Sequence, residues 1–281
     1  MKKIVDFKFL FLVLLFVLAP SLCGRVGSVS AQSHYVMIET NMGNMKVMLY
    51  DDCPRTVANF LEKVRNGYYD ETLFGRVIQS FMIQGGSPDS KNAAAGWRLG
   101  FGDIDEEIPG EIRANHIPKK GALAAPHRDG MNNSDMSMFF IVQGYSEPLE
   151  YWKGWEKVNN DAIRKAAKKK VMTKAVQDSL QALKPGEFAT NEEKMRYNTY
   201  VREINHQVDS VARHTPGARF FTDAELEAYS TVGGAYHLYK EYTFYGEVVE
   251  GLEVIDKIAD LDTNAADRPR TDVRMKIRVI K

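Results

Sequence analysis

The sequence predicts a mainly β fold interrupted once by a helical segment. Three observations predict it. Short apolar runs, several with a period of two, recur up to about residue 145 and again after about residue 235. Within those parts only two short stretches have helical spacing. Residues 146 to about 232 have a different texture, with mixed charge, few β-branched runs and helical spacing. Many short strands with two short helices point to an antiparallel barrel or a sandwich rather than a βαβ fold.

Each element follows from its local chemistry. From His34, YVMIET and MKVMLY alternate around a turn at Asn41–Asn44 and form a hairpin. Pro54 and Thr56 open a helix in TVANFLEKVRNG, with Thr56 as N-cap. Val57, Phe60, Leu61 and Val64 lie on one face, and Gly67 ends it. LFGRVIQSFMIQGG, residues 73–86, reads as strand, and residues 87–110, rich in Gly, Ala, Asp and Pro, as loop. GALAAP (121–126) and MFFIVQG (138–144) are short buried strands. The next segment predicts one long helix through WEKVNNDAIRKAAKKKVMTKAVQDSLQAL, stopped by Pro185-Gly186. A second runs through NEEKMRYNTYVREINHQVDSVARH and stops before Pro216-Gly217. A third, TDAELEAYSTV, is capped by Thr222 with Glu225 completing a capping box. YTFYGEVVEG then returns to strand, GLEVIDKIAD is a second short helix, and DVRMKIRVI is a closing strand.

Composition bounds the function. The 281 residues hold 37 Lys+Arg and 37 Asp+Glu, so a net charge of zero gives no electrostatic reason for nucleic acid or an anionic membrane as partner. The KKK run at 168–170 is balanced by acids nearby and reads as a solvated helix face. The N-terminus reads as a secretory signal peptide over residues 1–31. Lys2, Lys3 and Lys8 precede the apolar run 9–19, and Val29-Ser30-Ala31 makes a small-residue exit. The expected product is exported, periplasmic or in the cell envelope, and soluble after cleavage. A membrane attachment arises only if the signal stays uncleaved or if Cys23 is lipidated. Cleavage after Ala31 leaves Cys53 alone, so no internal disulfide forms. The six histidines form no close pair of ligand type. With no phosphate loop and no nucleophile elbow, neither a metal nor a cofactor is expected. Oligomeric state is not legible.

One residue is out of place. Arg76 lies in an otherwise apolar strand, where a guanidinium is costly unless its head reaches water, an acid or a ligand. It could simply mark the wet face of a half-buried strand.

The surrounding sequence decides between these. FGRVIQSFMIQGG resembles the signature strand of the cyclophilin-type peptidyl-prolyl isomerases, F-H-R-I/V-x-x-x-F-M-x-Q-G-G. TVANFLEKVRNGYYDETLF, GALAAPHR, SMFFIVQG and YTFYGEVVEGLEVIDKIA match in the same order and spacing. The resemblance implies a closed eight-stranded antiparallel barrel with a helix over each open end. It also implies a discontinuous domain, 32–145 and 235–281, with 146–234 as a helical insertion. It further implies an enzyme that accelerates X-Pro rotation in proline-containing polypeptide clients, here during folding of exported proteins. Carried over by position, Arg76 is the catalytic arginine and Gln84 its polar partner. Phe81, Met82, Phe140 and Leu238 receive the proline ring, and His127 holds the residue before proline. Taken singly, Phe140 or Leu238 would read as plain core; the joint match gives them this role. Met138, His237 and Tyr242 complete the rim but depart from the usual residues there, as do Gly75, Ser87 and Tyr239-Lys240. These departures bear on rate, sequence preference and cyclosporin sensitivity. An alternative is a client-binding module with weak or no isomerase activity, whose insertion grips the client.

Overall fold

The computed structural model describes residues 34–100, 107–127, 133–135 and 137–280. Residues 1–31, expected to be a signal segment, and Cys23 within them lie outside the described residues. The strands are β1 (His34–Thr40), β2 (Gly43–Leu49), β3 (Phe74–Ile78), β4 (Met82–Gly85), β5 (Glu107–Pro109), β6 (Ala122–Ala125), β7 (Asn133–Asp135), β8 (Phe139–Val142), β9 (Thr243–Glu250) and β10 (Met275–Ile280). Eight of them form one antiparallel sheet in the order β10-β1-β2-β9-β6-β8-β4-β3, while β5 and β7 pair separately. The β1–β2 turn is tighter than expected. Thr40 pairs with Gly43, so Asn41 and Met42 alone make the turn and Gly43 already belongs to the strand.

The sheet is antiparallel and curled. Its ladder begins at β10 and ends at β3. The two edges approach at one isolated bridge, Leu73 with Arg274, flanked by Phe74 N–H to Val273 O at 3.0 Å and Met275 N–H to Thr72 O at 2.9 Å. Glu71 N–H adds a third bond across this seam, to Met275 O at 3.0 Å.

Strand alternation divides the apolar side chains between two faces. Ile83, Leu123, Ala125, Phe139, Ile141 and Tyr245 face the main core. Met82, Ala122, Ala124, Phe140, Val142 and Phe244 face the other way into a second, smaller cluster with Ala235 and Leu238. Burial on both faces explains why GALAAP and FFIV are unbroken apolar runs.

Two helices cover the main core, α1 (Pro54–Arg65) and, last in the chain, α7 (Leu252–Ala259). Val57, Phe60, Leu61 and Val64 enter it from α1, and Val254, Ile255 and Ile258 from α7. A Cβ on Gly43 would sit 2.8 Å from Val254 Cγ2, so glycine there lets α7 close on the sheet. Helix α1 starts earlier than expected. Cys53 is the N-cap, with Pro54 at the first position, and Thr56 lies inside the first turn. The orphan donors go to Glu111 from a distant loop. Its carboxylate accepts from Thr56 N–H at 2.9 Å, the Thr56 hydroxyl at 2.8 Å and Arg55 Nε at 3.3 Å.

Between β8 and β9 lie α2 (Leu149–Asn159), α3 (Asp161–Val171), α4 (Lys174–Leu183), α5 (Asn191–Arg213) and α6 (Asp223–Thr231). The single long helix expected over the first part is therefore three. Asn160 breaks it because its side chain engages a distant backbone, donating to Arg219 O at 2.6 Å and accepting from Arg219 N–H at 3.0 Å. Thr173 then caps α4 by accepting from Val176 N–H. Capping boxes start α5 at Thr190/Glu193 and α6 at Thr222/Glu225. Ala167, Ile204, Val208 and Ala212 form a small core of α3 and α5. Fully buried Trp152 packs with Phe221 and Tyr229, against partly buried Ile117, Tyr145 and Tyr236. The two ends of the helical segment meet. Tyr145 and Gly234 exchange hydrogen bonds of 3.2 and 3.1 Å, and a Cβ on Gly144 would overlap the Gly234 backbone.

Two outcomes follow. Replacing residues 148–231 with a short Gly-Ser linker should leave a cooperatively melting β protein, since Tyr145 and Gly234 already adjoin. Its melting temperature should fall because Ile117 and Tyr236 lose their cover, and an unfolded product by circular dichroism would refute the independence of the sheet. The second concerns Glu111. Burial alone would raise its pKa, but the hydrogen bonds from Thr56 and Arg55 outweigh burial and lower it. A depressed carboxylate stabilises the fold above its unfolded pKa of about 4.3 and loses that contribution as pH falls through the folded value. Glu111→Gln should therefore cost about 1–3 kcal/mol at pH 7. The gap to wild type should close in acid, read from denaturant curves across pH.

Candidate functional site

The second cluster builds an apolar patch on the outer face of the sheet. Met82 on β4, Phe140 on β8, Phe244 on β9 and Leu238 are its buried floor; Ile78, Phe81 and Tyr242 pack on it partly exposed. The rings interlock edge to face, with Phe140 and Tyr242 5.2 Å apart at 86° and Phe140 and Phe244 6.3 Å apart at 79°.

Arg76 reaches this face through an irregularity in β3. The register shifts between Phe74 and Arg76, so that Phe74 and Val77, three residues apart, both point into the main core. Strict alternation would forbid that; the shift leaves Arg76 pointing out. Its head is 47 % exposed. Arg76 stands opposite Gln84, and Gln84 opposite Phe140. A polar chain crosses these strands. Arg76 Nη1 donates to Gln84 Oε1 at 3.5 Å, and Gln84 Nε2 donates to Met138 Sδ at 3.8 Å. Methionine thus supplies the acceptor on which Gln84 rests.

The rim comes from loops. His237 lies against Phe81, ring centroids 5.2 Å apart. His127 stacks on Tyr242 at 4.2 Å, its Nε2 3.0 Å from Glu241 O. All ten residues singled out from the sequence therefore belong to one continuous face: Arg76, Gln84 and Met138 along one side, Phe81, Met82, Phe140 and Leu238 in the floor, His127, His237 and Tyr242 at the rim. A cavity of about 780 Å³ adjoins Arg76, lined among others by Gly75, Gln84, Met138, Asn264 and Asp267.

Several contributors escaped the sequence reading. Phe244 completes the floor. Asp267 places Oδ2 3.6 Å from Arg76 Nε, an ion pair longer than a hydrogen bond. Gln143 fixes the β3–β4 turn. Its Oε1 accepts from Ser80 N–H at 2.7 Å, its Nε2 donates to Asp256 Oδ1 at 3.1 Å, and its own N–H donates to Phe81 O. Ser80 has φ 61, a conformation that a short polar residue holds more readily than a branched one. The QGY tail after FFIV carried no signal for this role.

The fold also assembles Asp52, Cys53 and His116, whose candidate ligand atoms lie within 4.8 Å of one another. Residue spacing could not show this group. It is internally satisfied. The Cys53 thiol donates to Glu111 O and Phe244 O at 3.5 Å, and His116 bridges Phe244 O at 2.7 Å and Asp52 Oδ1 at 3.0 Å. Burial and the carboxylates of Asp52 and Glu111 push the thiol up to about 12, so Cys53 is a packing residue and not a nucleophile.

A family model described as cyclophilin type peptidyl-prolyl cis-trans isomerase/CLD matches residues 35–153 and 167–279. A Streptococcus pyogenes protein provisionally named a bifunctional phosphatase/peptidyl-prolyl cis-trans isomerase is 29% identical over 85% of this chain, which spans 37% of that longer protein. A Staphylococcus haemolyticus protein provisionally named a peptidyl-prolyl cis-trans isomerase is 26% identical over 85% of this chain and 86% of its own length. The crystal structure of a Cryptosporidium parvum cyclophilin type peptidyl-prolyl cis-trans isomerase matches with a TM-score of 0.50. It covers 89% of this chain and 98% of that one at 17% identity, a likeness of fold.

His237 offers a direct check on the rim. Burial lowers its pKa below the usual value of about 6.5. Its imidazole should titrate below that in an NMR pH series and be neutral at pH 7; a midpoint above 6.5 would place it in a wetter, more acidic setting.

Proposed function

The chain belongs to the cyclophilin-type peptidyl-prolyl cis-trans isomerase family, and from that premise we propose that the Arg76 face is where it catalyses X-Pro rotation. The observation that carries this is the outward guanidinium beside an apolar floor, with Arg76, Gln84 and Phe140 in register across three strands. Rotation about an X-Pro bond faces a barrier of about 20 kcal/mol because the amide has partial double-bond character. Twisting the bond makes the prolyl nitrogen pyramidal and gives it a lone pair. A donor aimed at that nitrogen binds the twisted state better than either planar state and so lowers the barrier. Arg76 is that donor, and its fork also serves a substrate carbonyl. Gln84 limits the motion of Arg76. Met82, Phe140, Leu238 and Phe81 take the proline ring, and His127, Met138, His237 and Tyr242 border the flanking chain. No proton or covalent bond is exchanged in the rotation.

Three further readings are ours. The hydrogen bonds between residues 71–74 and 273–275 support a sheet closed into a barrel. The contact of Tyr145 with Gly234 supports a discontinuous barrel domain, 32–145 and 235–281, with 146–234 inserted. The basic start, short apolar run and small-residue exit of residues 1–31 support export and a role in folding proteins outside the cytoplasm. A second functional reading, client holding with little isomerisation, draws on Phe188 and Met195, which are 93% and 67% exposed on the helical segment.

Arg76→Ala should lower kcat/KM on X-Pro tetrapeptides by at least about tenfold, since one preorganised donor is worth a few kcal/mol. Its melting temperature should change little because the head lies outside the core. Unchanged turnover would remove Arg76 from the mechanism, and retained suppression of client aggregation in this variant would favour the holding role.

A further inference from the structure

The loop between α7 and β10 is more firmly built than its exposure requires. Thr263 bridges Pro269 across it. Asn264 Oδ1 accepts from Ala266 N–H at 2.8 Å and Arg268 N–H at 3.2 Å, while Asp267 N–H donates to Asn264 O at 3.0 Å. The Arg268 side chain is 2% exposed, a costly place for a guanidinium unless its donors are engaged. They are. Nη1 donates to Ala94 O at 2.8 Å and Trp97 O at 2.9 Å, and Nη2 donates to Asp272 Oδ1 at 2.8 Å. Asn264 Nδ2 adds a bond to Gly96 O at 3.3 Å. The loop is thus pinned to residues 94–97 on one side and to the start of the last strand on the other.

What this frame delivers is Asp267. The residue sits at φ 59, in the left-handed region. Its carbonyl accepts from Val77 N–H at 2.8 Å, fixing the backbone next to Arg76, and its carboxylate faces the Arg76 head at 3.6 Å from Nε. One residue therefore holds both the strand beside the arginine and the inner edge of its guanidinium. Gln84 touches the outer edge at Nη1.

We propose that Asp267 is a positioning residue for Arg76, turning the Nε edge of the guanidinium toward the loop so that the Nη edge is presented to the peptide, with Asn264 and Arg268 holding Asp267 in place. The inference rests on Arg76 being the catalytic donor. An ion pair at this distance steers by charge and leaves room to tighten when a peptide arrives. Arginine carries much rotamer freedom, and a fixed orientation removes part of what must be ordered in the transition state. The carboxylate also has an opposing effect, because it weakens the positive field at the prolyl nitrogen. The geometry favours orientation: Asp267 meets Nε, the edge away from Gln84. Both side chains are 47% exposed, so the pair contributes little to stability.

The test separates orientation from charge and from fold. Asp267→Gly keeps a left-handed backbone without strain and removes the carboxylate; Asp267→Asn keeps the backbone preference and a polar oxygen but removes the charge. Orientation predicts that Asp267→Gly lowers kcat about tenfold with KM within about twofold, with Asp267→Asn in between. In an Arg76→Ala background neither substitution should change the residual turnover. A rise in kcat in both single variants would show that field weakening dominates and overturn the proposal. A further loss in the Arg76→Ala background would show a role that bypasses Arg76 and overturn it as well. Turnover unchanged by Asp267→Gly but reduced by Arg76→Ala refutes only the positioning role. Turnover unchanged by Arg76→Ala refutes the functional reading beneath it.

Discussion

The structure depends on a sheet whose central strands are apolar on both faces. An ordinary half-buried strand alternates and has one wet side. Here β4, β6, β8 and β9 send one set of side chains into the main core and the other set outward, where Met82, Phe140 and Phe244 would be stranded in water without Ala235, Leu238 and the rings around them. The outer patch is therefore a by-product of strand geometry that needs only a partial lid. An apolar floor results on a rigid scaffold.

Specific chemistry is added to that floor by departures from regularity. The register shift at Gly75 turns Arg76 out of the strand. A Cβ at Gly75 would stand 3.0 Å from Leu99 Cδ1, so the small residue also suits the close loop beside it. Ser80 and Asp267 both take left-handed backbone within reach of the same face. The floor shares this irregularity, since the pairing of β6 with β9 shifts register between Leu123 and Ala124, opposite Phe244. His237, whose pKa burial lowers, adds aromatic surface at the rim.

Much of this was legible in the sequence because it is local. Period-two runs located the strands, and Val57, Phe60, Leu61 and Val64 located the helix that covers the core. Arg76, Phe81, Met82 and Gln84 were marked by their match to the signature strand and not by strand periodicity, which the register shift before Arg76 interrupts. What was not legible depends on partners far along the chain. Thr56 has the chemistry of an N-cap, but Glu111, 55 residues away, supplies the acceptors and lets the helix begin at Pro54. Asn160 lies in a helix-forming run and breaks it because its amide meets Arg219, 59 residues away. Asp267 carries no local mark at all: the loop conformation that brings it to Arg76 depends on the bonds Arg268 makes to residues 94–97.

The meeting of Tyr145 with Gly234 bears on how the chain finds its fold. Strand β9 pairs with β6 across the whole helical segment, and a flexible loop of that length would slow the search for the pairing. The helices are rich in local contacts and can organise on their own short timescale. Once they do, and Trp152 gathers Phe221 and Tyr229, the two ends of the segment are already neighbours. The distance the chain must close is then only the short stretch on either side of that neck. A large insertion placed this way hardly lengthens the route to the sheet, because its own folding returns the chain near β8, one strand away from the place β9 takes beside β6.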